Sequence, residues 1–135
     1  MKLAQKNLMY FLAIIIFVGD RVGRFFLMSA SQGQNWVEQN IIGPFSLAVS
    51  NNIMLVVMVL ILILVGVGLF FWRKERLPLF IIFLAGLNNF IDRLLYGGVI
   101  DYWPWFNLGH FNLSDALLFF ALIYFVYTLF RSRNL

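Results

Sequence analysis

A long stretch without a single charge is the feature that most constrains this chain. The residues from Ile53 to Trp72 form a run of 20 that contains no Asp, Glu, Lys or Arg. An apolar run of about 20 residues is long enough to cross the hydrocarbon core of a bilayer as one helix. The rest of the chain agrees, because 62% of its residues are hydrophobic and only 12% are charged. We therefore expect an integral membrane protein and not a soluble globule.

Three further apolar segments predict three further crossings. We expect spans at about residues 8–28, 53–72, 77–96 and 113–130. The predicted fold class is an all-α membrane protein, a four-transmembrane-helix bundle. With 135 residues there is room for one integral membrane domain, over residues 1–135.

The first span has an alternative interpretation as a cleaved secretory signal. Lysines precede it, and the small residues at 29–31 would suit a cleavage site. Against this, Asp20, Arg21 and Arg24 lie between the apolar core and that site, where signal peptides rarely carry charge. We favour a span that is retained.

Basic residues predict the orientation. Lysines precede the first span, Arg73, Lys74 and Arg76 lie between the second and the third, and arginines follow the fourth. With four crossings these clusters fall on one side, and the positive-inside rule makes that side cytoplasmic. Both termini are then cytoplasmic, and the connections 29–52 and 97–112 face outward.

The first outer connection is long for a segment without structure of its own. Within it, the stretch Ile41–Val49 has strand character that is interrupted by Gly43 and Pro44. We expect a small extended or β element here, lying on the membrane surface.

The polar residues within the spans are predicted to share one end of the bundle. They are Asp20, Arg21 and Arg24 in the first span, Asn51 and Asn52 at the start of the second, Asn88, Asn89, Asp92 and Arg93 in the third, and Asn112, Ser114 and Asp115 at the start of the fourth. In the topology above, all of them lie near the outer leaflet. This favours a site that opens at the outer surface over a transport path through the membrane centre.

Asp101 and Asp115 are candidates for chemistry, because the short connection between them can bring them together. Two carboxylates that share a site do not both ionise easily, so one stays protonated while the other acts as a base. Such a pair could activate a water and polarise a peptide carbonyl. A structural alternative is that Asn112 or Ser114 caps the fourth span. Asp115 would then lie in the first turn of that helix, where the helix dipole favours a negative charge, and Asp101 would be a solvated loop charge.

Two further pairs, each four residues apart on one helix face, have two interpretations. Asn89 and Arg93 could position the dyad or hold a substrate main chain. Alternatively, Arg93 reaches to the interface and pairs with Asp92 or Asp20. Asp20 and Arg24 are expected to pair with each other.

The composition excludes several kinds of site. The chain has no cysteine, which excludes disulfides and thiolate metal sites, and its single histidine, His110, excludes a multi-histidine metal site. The net charge of +4 arises mostly from basic residues that flank apolar segments, so it does not indicate nucleic-acid binding. We expect no metal, no cofactor and no nucleic-acid partner.

The second half of the chain carries a recognisable signature. The segment Asn89–Tyr102 resembles the N-x-x-D-R…G-x-V-x-D-[FY] pattern of lipoprotein signal peptidase, also called signal peptidase II. Phe111–Asp115 resembles the F-N-x-A-D motif that follows it in that family. The resemblance extends over nearly the whole chain and is strongest from about Ala85 to Leu117.

The resemblance implies an intramembrane aspartic endopeptidase of the bacterial cytoplasmic (inner) membrane, with its site at the outer face. The family removes signal peptides from prolipoproteins, cutting before a cysteine that carries a diacylglyceryl group. On this chain it makes Asp101 and Asp115 the catalytic pair. The residues implied to support the dyad or bind substrate are Asn89, Arg93, Asn112, Asp20, Arg24 and Asn40. The implied partners are membrane lipid and the lipidated signal peptide, held in an apolar groove between helices of a monomer.

The chain departs from the family pattern at several positions. Arg24 lies where lysine is usual, and Ser114 replaces the usual alanine. In the outer connection Asn40 and Phe45 are kept while a glycine is displaced by one position, and Ala85 replaces a glycine. We expect these differences to affect substrate fit and the shape of the outer loop more than the reaction.

Two other functions stay open on the sequence alone. A non-catalytic membrane scaffold with the same fold would tolerate loss of the aspartates. A small ion or proton transporter would carry polar residues at the membrane midplane.

Overall fold

A computed structural model describes residues 3–30, 38–40, 50–104 and 109–133 of the chain. These residues form four helices and four short strands. In chain order they are α1 (Leu3–Ala30), β1 (Glu38–Asn40), α2 (Asn51–Phe71), α3 (Arg76–Tyr96), β2 (Val99–Asp101), β3 (Trp103–Pro104), β4 (His110–Phe111) and α4 (Leu113–Arg133). Each helix contains or closely matches one of the four predicted apolar segments.

Three of the helices are long and apolar enough to cross a membrane. They are α2, α3 and residues 113–131 of α4. The first helix, α1, has 28 residues, which corresponds to a length of about 42 Å. Its second half contains Asp20, Arg21 and Arg24. Length and composition thus support three of the four predicted spans within the described part of the chain.

The third helix is central to the packing of the bundle. α3 packs most extensively against α2 and α4 and less extensively against α1, whereas α1 and α4 touch only slightly. Gly86 on α3 faces Leu62 of α2, and a Cβ added at Gly86 would lie 3.4 Å from that side chain, at van der Waals contact. Small residues at such positions let membrane helices pack closely. The polar residues of α3 are therefore within reach of all three other helices.

The distribution of polarity is the reverse of that in a soluble protein. Among the described residues, polar and charged side chains outnumber apolar ones in the interior. Large apolar side chains lie on the outside, for example Leu64 at 69% exposed and Phe71 at 78%. An apolar surface of this extent needs a membrane or a partner to cover it. The interior polar groups must then satisfy one another.

A left-handed turn carries the chain from α3 back towards the bundle. Gly97 has φ 75° and its N–H donates to the carbonyl of Arg93 at 3.1 Å. This is the αL cap that glycine forms without steric cost. The turn leads directly into β2, so Asp101 is returned to the end of the helix bundle instead of extending away from it.

Two small antiparallel sheets link the connections at this end. β1 pairs with β2, with Glu38 opposite Asp101 and Asn40 opposite Val99. β3 pairs with β4, with Trp103 opposite Phe111. The extended element predicted at Ile41–Val49 lies outside the described residues, and the strand observed in the first connection is the shorter β1. The strands of the second connection were not predicted, because segments of two or three residues carry no alternating pattern.

Candidate functional site

Arg24 lies at the centre of a buried polar cluster. Its side chain is 0% exposed and forms ion pairs with Asp20 and with Asp92. The Arg24–Asp20 distance is 2.7 Å, between Nη2 and Oδ2. The predicted pairing of these two residues is therefore confirmed. Asp92 also pairs with Arg21, so the cluster carries two positive and two negative groups and is balanced.

Arg24 also fixes the orientation of two carboxamides. Its Nη1 donates to Asn89 Oδ1 at 3.2 Å, and its Nη2 donates to Asn112 Oδ1 at 2.9 Å. With their oxygens held in this way, the NH₂ groups of both asparagines point away from Arg24. Asn89 Nδ2 donates to Asp115 Oδ1 at 2.8 Å, and Asn112 Nδ2 donates to Asp101 Oδ1 at 2.7 Å. One guanidinium thus orients one donor towards each candidate aspartate.

Asn112 also caps α4. Its side-chain oxygen accepts the N–H of Asp115 at 3.0 Å, and the Asp115 carboxylate accepts the N–H of Asn112 at 3.3 Å. This is the reciprocal arrangement of a capping box. The structural alternative from the sequence is therefore correct for Asn112, but it does not compete with a role for Asp115, since the second carboxylate oxygen faces Asn89.

Asp101 is placed by the strand that carries it. The N–H of Ile100 donates to Asp92 Oδ2 at 3.1 Å, which fixes the β2 main chain next to Asp101. Asp101 itself is only 3% exposed. The alternative of a solvated loop charge is therefore wrong, because the Gly97 turn folds β2 back over the helix ends.

The two candidate aspartates share one partner. Asn112 donates to Asp101 through its side chain and to Asp115 through its main chain. Both carboxylates therefore lie within hydrogen-bonding distance of Asn112. That Asp101 and Asp115 act as a pair stays a prediction.

Arg93 lies beside this pair and does not reach the interface. It is 3% exposed, its Nη1 donates to Asn51 Oδ1 at 3.5 Å, and Asn51 Nδ2 donates to the Arg93 carbonyl at 3.3 Å. Asp101 is the acidic group whose charge acts on it. The alternative in which Arg93 pairs with Asp92 or Asp20 is wrong, because those carboxylates are held by the arginines of α1.

Asn40 is described only in its main chain. It lies in β1, opposite Val99 and so two residues along β2 from Asp101. Its side chain lies outside the described part of the structure, and its predicted role stays a prediction.

Tyr102 joins α1 to the start of α4. Its hydroxyl donates to Asp20 Oδ1 at 2.5 Å and accepts the N–H of Leu113 at 3.1 Å. Burial, together with the hydrogen bond to Asp20, raises the pKa of the Tyr102 hydroxyl well above its usual value. The hydroxyl therefore remains a donor throughout the physiological range.

Replacing Tyr102 with phenylalanine is expected to lower the free energy of unfolding by about 1–3 kcal/mol, because the Leu113 N–H then has no partner. The raised pKa favours the folded state while the hydroxyl is protonated, so the difference from wild type is largest at neutral pH. It shrinks as the pH rises above ~10, where tyrosine ionises in the unfolded chain. Denaturation in detergent at several pH values measures this. Tyr124→Phe, at an exposed position, is the matched control, and equal stability of wild type and Tyr102→Phe at pH 7 would contradict the prediction.

The sequence identified most of this cluster but assigned no role in the candidate site to four members, of which Asp92 was named only as an alternative partner of Arg93. Asn88 and Asp92 face α1, Asn51 faces Arg93, and Tyr102 faces Asp20. The four-residue spacing of Asn88 and Asp92 is the same signal that drew attention to the neighbouring pair on α3. Among the described residues, no group of His, Cys, Asp and Glu side chains is arranged to hold a metal ion.

Comparisons with known proteins agree with this architecture. The family model for signal peptidase (SPase) II matches residues 12–131. Two solved structures, each described as a bacterial membrane enzyme, share the fold. One superposes with a TM-score of 0.77 at 16% identity over 94% of this chain and 90% of the other. The second has a TM-score of 0.75 at 17% identity, covering 91% and 92%.

Individual relatives match over shorter stretches. The lipoprotein signal peptidase of Wolinella succinogenes is 34% identical over 67 residues, which is 47% of this chain and 46% of that protein. The lipoprotein signal peptidase of Campylobacter jejuni subsp. doylei is 39% identical over 56 residues, 36% of either protein. The chain thus spans less than half the length of these relatives. The family match nevertheless covers most of the chain, which therefore belongs to the signal peptidase II family.

Proposed function

We propose that this chain is an intramembrane aspartic endopeptidase that removes signal peptides from diacylglyceryl-modified prolipoproteins. The cut falls before the lipidated cysteine, and Asp101 and Asp115 form the catalytic pair. The observation that carries the proposal is the shared partner Asn112, which donates to both carboxylates. Membership of the signal peptidase II family supports the substrate class.

The balance of charge around the pair supports an acid–base role. The described side chains at this end comprise four carboxylates, of Asp20, Asp92, Asp101 and Asp115, and three guanidinium groups, of Arg21, Arg24 and Arg93. If all were ionised, one negative charge would be uncompensated where water is largely excluded, which is costly. One proton shared by Asp101 and Asp115 removes that excess. The pair then contains one acid and one base, and it titrates as a unit.

The proposed reaction uses these two states. The ionised aspartate takes a proton from a water held between the pair, while the protonated one donates a hydrogen bond to the scissile carbonyl. The water oxygen bonds to the carbonyl carbon, the C–N bond breaks, and the departing amine receives a proton from the pair. Arg93, whose remaining N–H groups have no partner among the described residues, is available to hold a substrate carbonyl.

The proposed topology follows the charges. α1 is taken as the fourth crossing, with its buried arginine neutralised by Asp20 and Asp92. Basic residues then flank the inner ends of the helices, and both termini are cytoplasmic. The catalytic pair faces the outer side of the bacterial inner membrane. One integral domain and a monomeric state complete the proposal.

The test uses purified full-length protein in lipid bilayers and two precursor peptides that differ only in the diacylglyceryl group. We expect cleavage of the lipidated peptide alone, with the lipidated cysteine as the new amino terminus, identified by mass spectrometry. Equal cleavage of the unlipidated peptide would overturn the substrate class. Absence of cleavage of both peptides would overturn the activity.

A further inference from the structure

Asn51 is the first residue of α2, and its side chain reaches across to the end of α3. Its Nδ2 donates to the Arg93 carbonyl at 3.3 Å, and its Oδ1 accepts from Arg93 Nη1 at 3.5 Å. One carboxamide therefore contacts both the main chain and the side chain of Arg93. Among the described residues, Asn51 is the only hydrogen-bond partner of the Arg93 guanidinium.

Helix capping does not account for this contact. The Arg93 carbonyl already accepts the N–H of Gly97 at 3.1 Å, in the turn that ends α3. That carbonyl therefore has a partner without Asn51. The N-cap of α2 is Ser50, so Asn51 is not placed to cap its own helix either. What Asn51 adds is a fixed direction for the Arg93 side chain.

Arg93 needs such a contact more than the other two arginines of this end. Arg21 and Arg24 are held by ion pairs, whereas Arg93 forms no ion pair with a described residue. A long side chain on a helix leans towards the N-terminus of that helix unless something holds it. For Arg93 that direction leads away from β2. Asn51 instead holds the guanidinium at the end of α3 where Asp101 lies.

The N–H groups of Arg93 that do not bond to Asn51 can be reached by a ligand. In the part of the chain that the structure describes, Asn88 Oδ1 is the only fully buried side-chain N or O atom without a partner. The unbonded nitrogens of Arg93 therefore keep some accessible surface. They lie near the candidate pair, because the charge of Asp101 acts on Arg93. A guanidinium fixed here presents several donors in one rigid plane to a carbonyl oxygen.

We propose that Asn51 is a positioning residue of the candidate site. It holds Arg93 in the orientation in which the guanidinium binds a main-chain carbonyl of the signal peptide, beside the scissile bond. Asn51 itself does not touch the substrate. The inference rests on the proposed peptidase function and extends the site to α2, which contributes no other hydrogen bond to it among the described residues.

The kinetic constants of Asn51→Ala test the proposal on the full-length protein in bilayers. We expect KM for the lipidated peptide to rise about tenfold while kcat stays within about twofold, because Arg93 contributes binding and not proton transfer. Initial rates over a range of peptide concentrations measure both constants, and thermal unfolding in detergent reports on folding. Asn52→Ala is the matched control, since Asn52 is exposed at the next position of α2, and it should leave both constants unchanged.

A double-variant cycle shows whether Asn51 acts through the Arg93 side chain. Arg93→Met should itself raise KM, because it removes the guanidinium. In that background Asn51→Ala should raise KM no further, since no guanidinium remains to be positioned. The Arg93 carbonyl is still present in Arg93→Met, so a merely structural role of Asn51 at that carbonyl would have the same effect in both backgrounds.

The outcomes separate this inference from the proposed function. Suppose that the wild-type protein cleaves the lipidated peptide. The positioning role is then overturned, and the peptidase stands, if Asn51→Ala keeps the wild-type KM or lowers kcat alone. An equal rise in KM in Asn52→Ala, or an equal effect of Asn51→Ala in the Arg93→Met background, would also overturn it. If the wild-type protein cleaves neither precursor peptide, the proposed function and this inference fall together.

Discussion

Replacing Asp101 with asparagine is expected to reduce cleavage of a lipidated precursor on the order of 10⁴-fold, because the pair then lacks either its base or its acid. The fold should survive. The substituted amide still offers an oxygen to Asn112 Nδ2, which donates to Asp101 at 2.7 Å in the wild-type protein. Initial rates on the diacylated peptide measure the effect, with thermal unfolding in detergent as the check on folding.

Asp115→Asn is expected to be as inactive as Asp101→Asn, but the protein should be less stable with this substitution. Asp115 accepts from Asn89 with one oxygen and from the Asn112 main chain with the other. An amide has only one acceptor oxygen, so one of these donors would face an NH₂ group. The double variant should lose little more activity than either single one, since the two residues act as a unit.

Glu75→Gln is the matched control for both changes. Glu75 precedes α3 at the opposite end of that helix and is also buried. Its substitution removes one carboxylate without touching the pair, so cleavage should stay near the wild-type rate. If Asp101→Asn or Asp115→Asn retained that rate as well, the assignment of the catalytic pair would fail and the scaffold alternative would gain support.

Replacing Arg24 with methionine is expected to lower the free energy of unfolding by about 3–5 kcal/mol, because buried Asp20 loses its charged partner and buried Asp92 keeps only Arg21. The expected loss of cleavage is also large. Without Arg24 the carboxamides of Asn89 and Asn112 are free to rotate, and the donors to both aspartates lose their fixed direction. Chemical denaturation and initial rates measure the two effects separately. Arg131→Met, at an exposed position on α4, should change neither.

A more conservative change separates charge from geometry. Arg24→Lys keeps the charge, but its single nitrogen cannot occupy the positions of both Nη1 and Nη2.

Ser114 accepts from Arg24 Nη2 and donates to Asp20, both at 2.8 Å. Arg24 and Ser114, which are two of the departures from the family pattern, thus contact each other. We expect Ser114→Ala to destabilise the wild-type protein by about 1 kcal/mol more than it destabilises Arg24→Lys. Equal costs in both backgrounds would show that the two positions are independent.

The sequence predicted what depends on composition and on spacing along one helix. The four helices follow from long apolar segments, and the pairing of Asp20 with Arg24 follows from their four-residue separation. The short connection between Asp101 and Asp115 made a carboxylate pair one of two interpretations, and the family resemblance favoured the pair. These inferences need no knowledge of how the helices rotate about their axes.

Other parts of the site depend on how the helices rotate about their axes and on pairing between strands that are far apart in the sequence. Asn88 and Asn89 are adjacent in sequence, yet one faces α1 and the other Asp115, which no periodic pattern distinguishes. β2 forms against β1, whose residues are about 60 positions away. The sequence also did not predict that Asn112 both caps α4 and donates to Asp101. From the sequence, a capping role and a role in the candidate site looked like competing explanations.

The central position of α3 has a consequence for biogenesis. α1 and α2 leave the ribosome first, and each packs chiefly against α3, which has not yet been made. On the proposed topology, α1 lies in the bilayer before α3 is made, with Asp20 paired to Arg24 and with Arg21 still lacking its partner Asp92. Insertion of α3 then delivers Asp92, Asn88 and Asn89 together. The polar cluster around Arg24 should therefore form in one late step, and a nascent chain arrested before α3 should contain two unassociated helices.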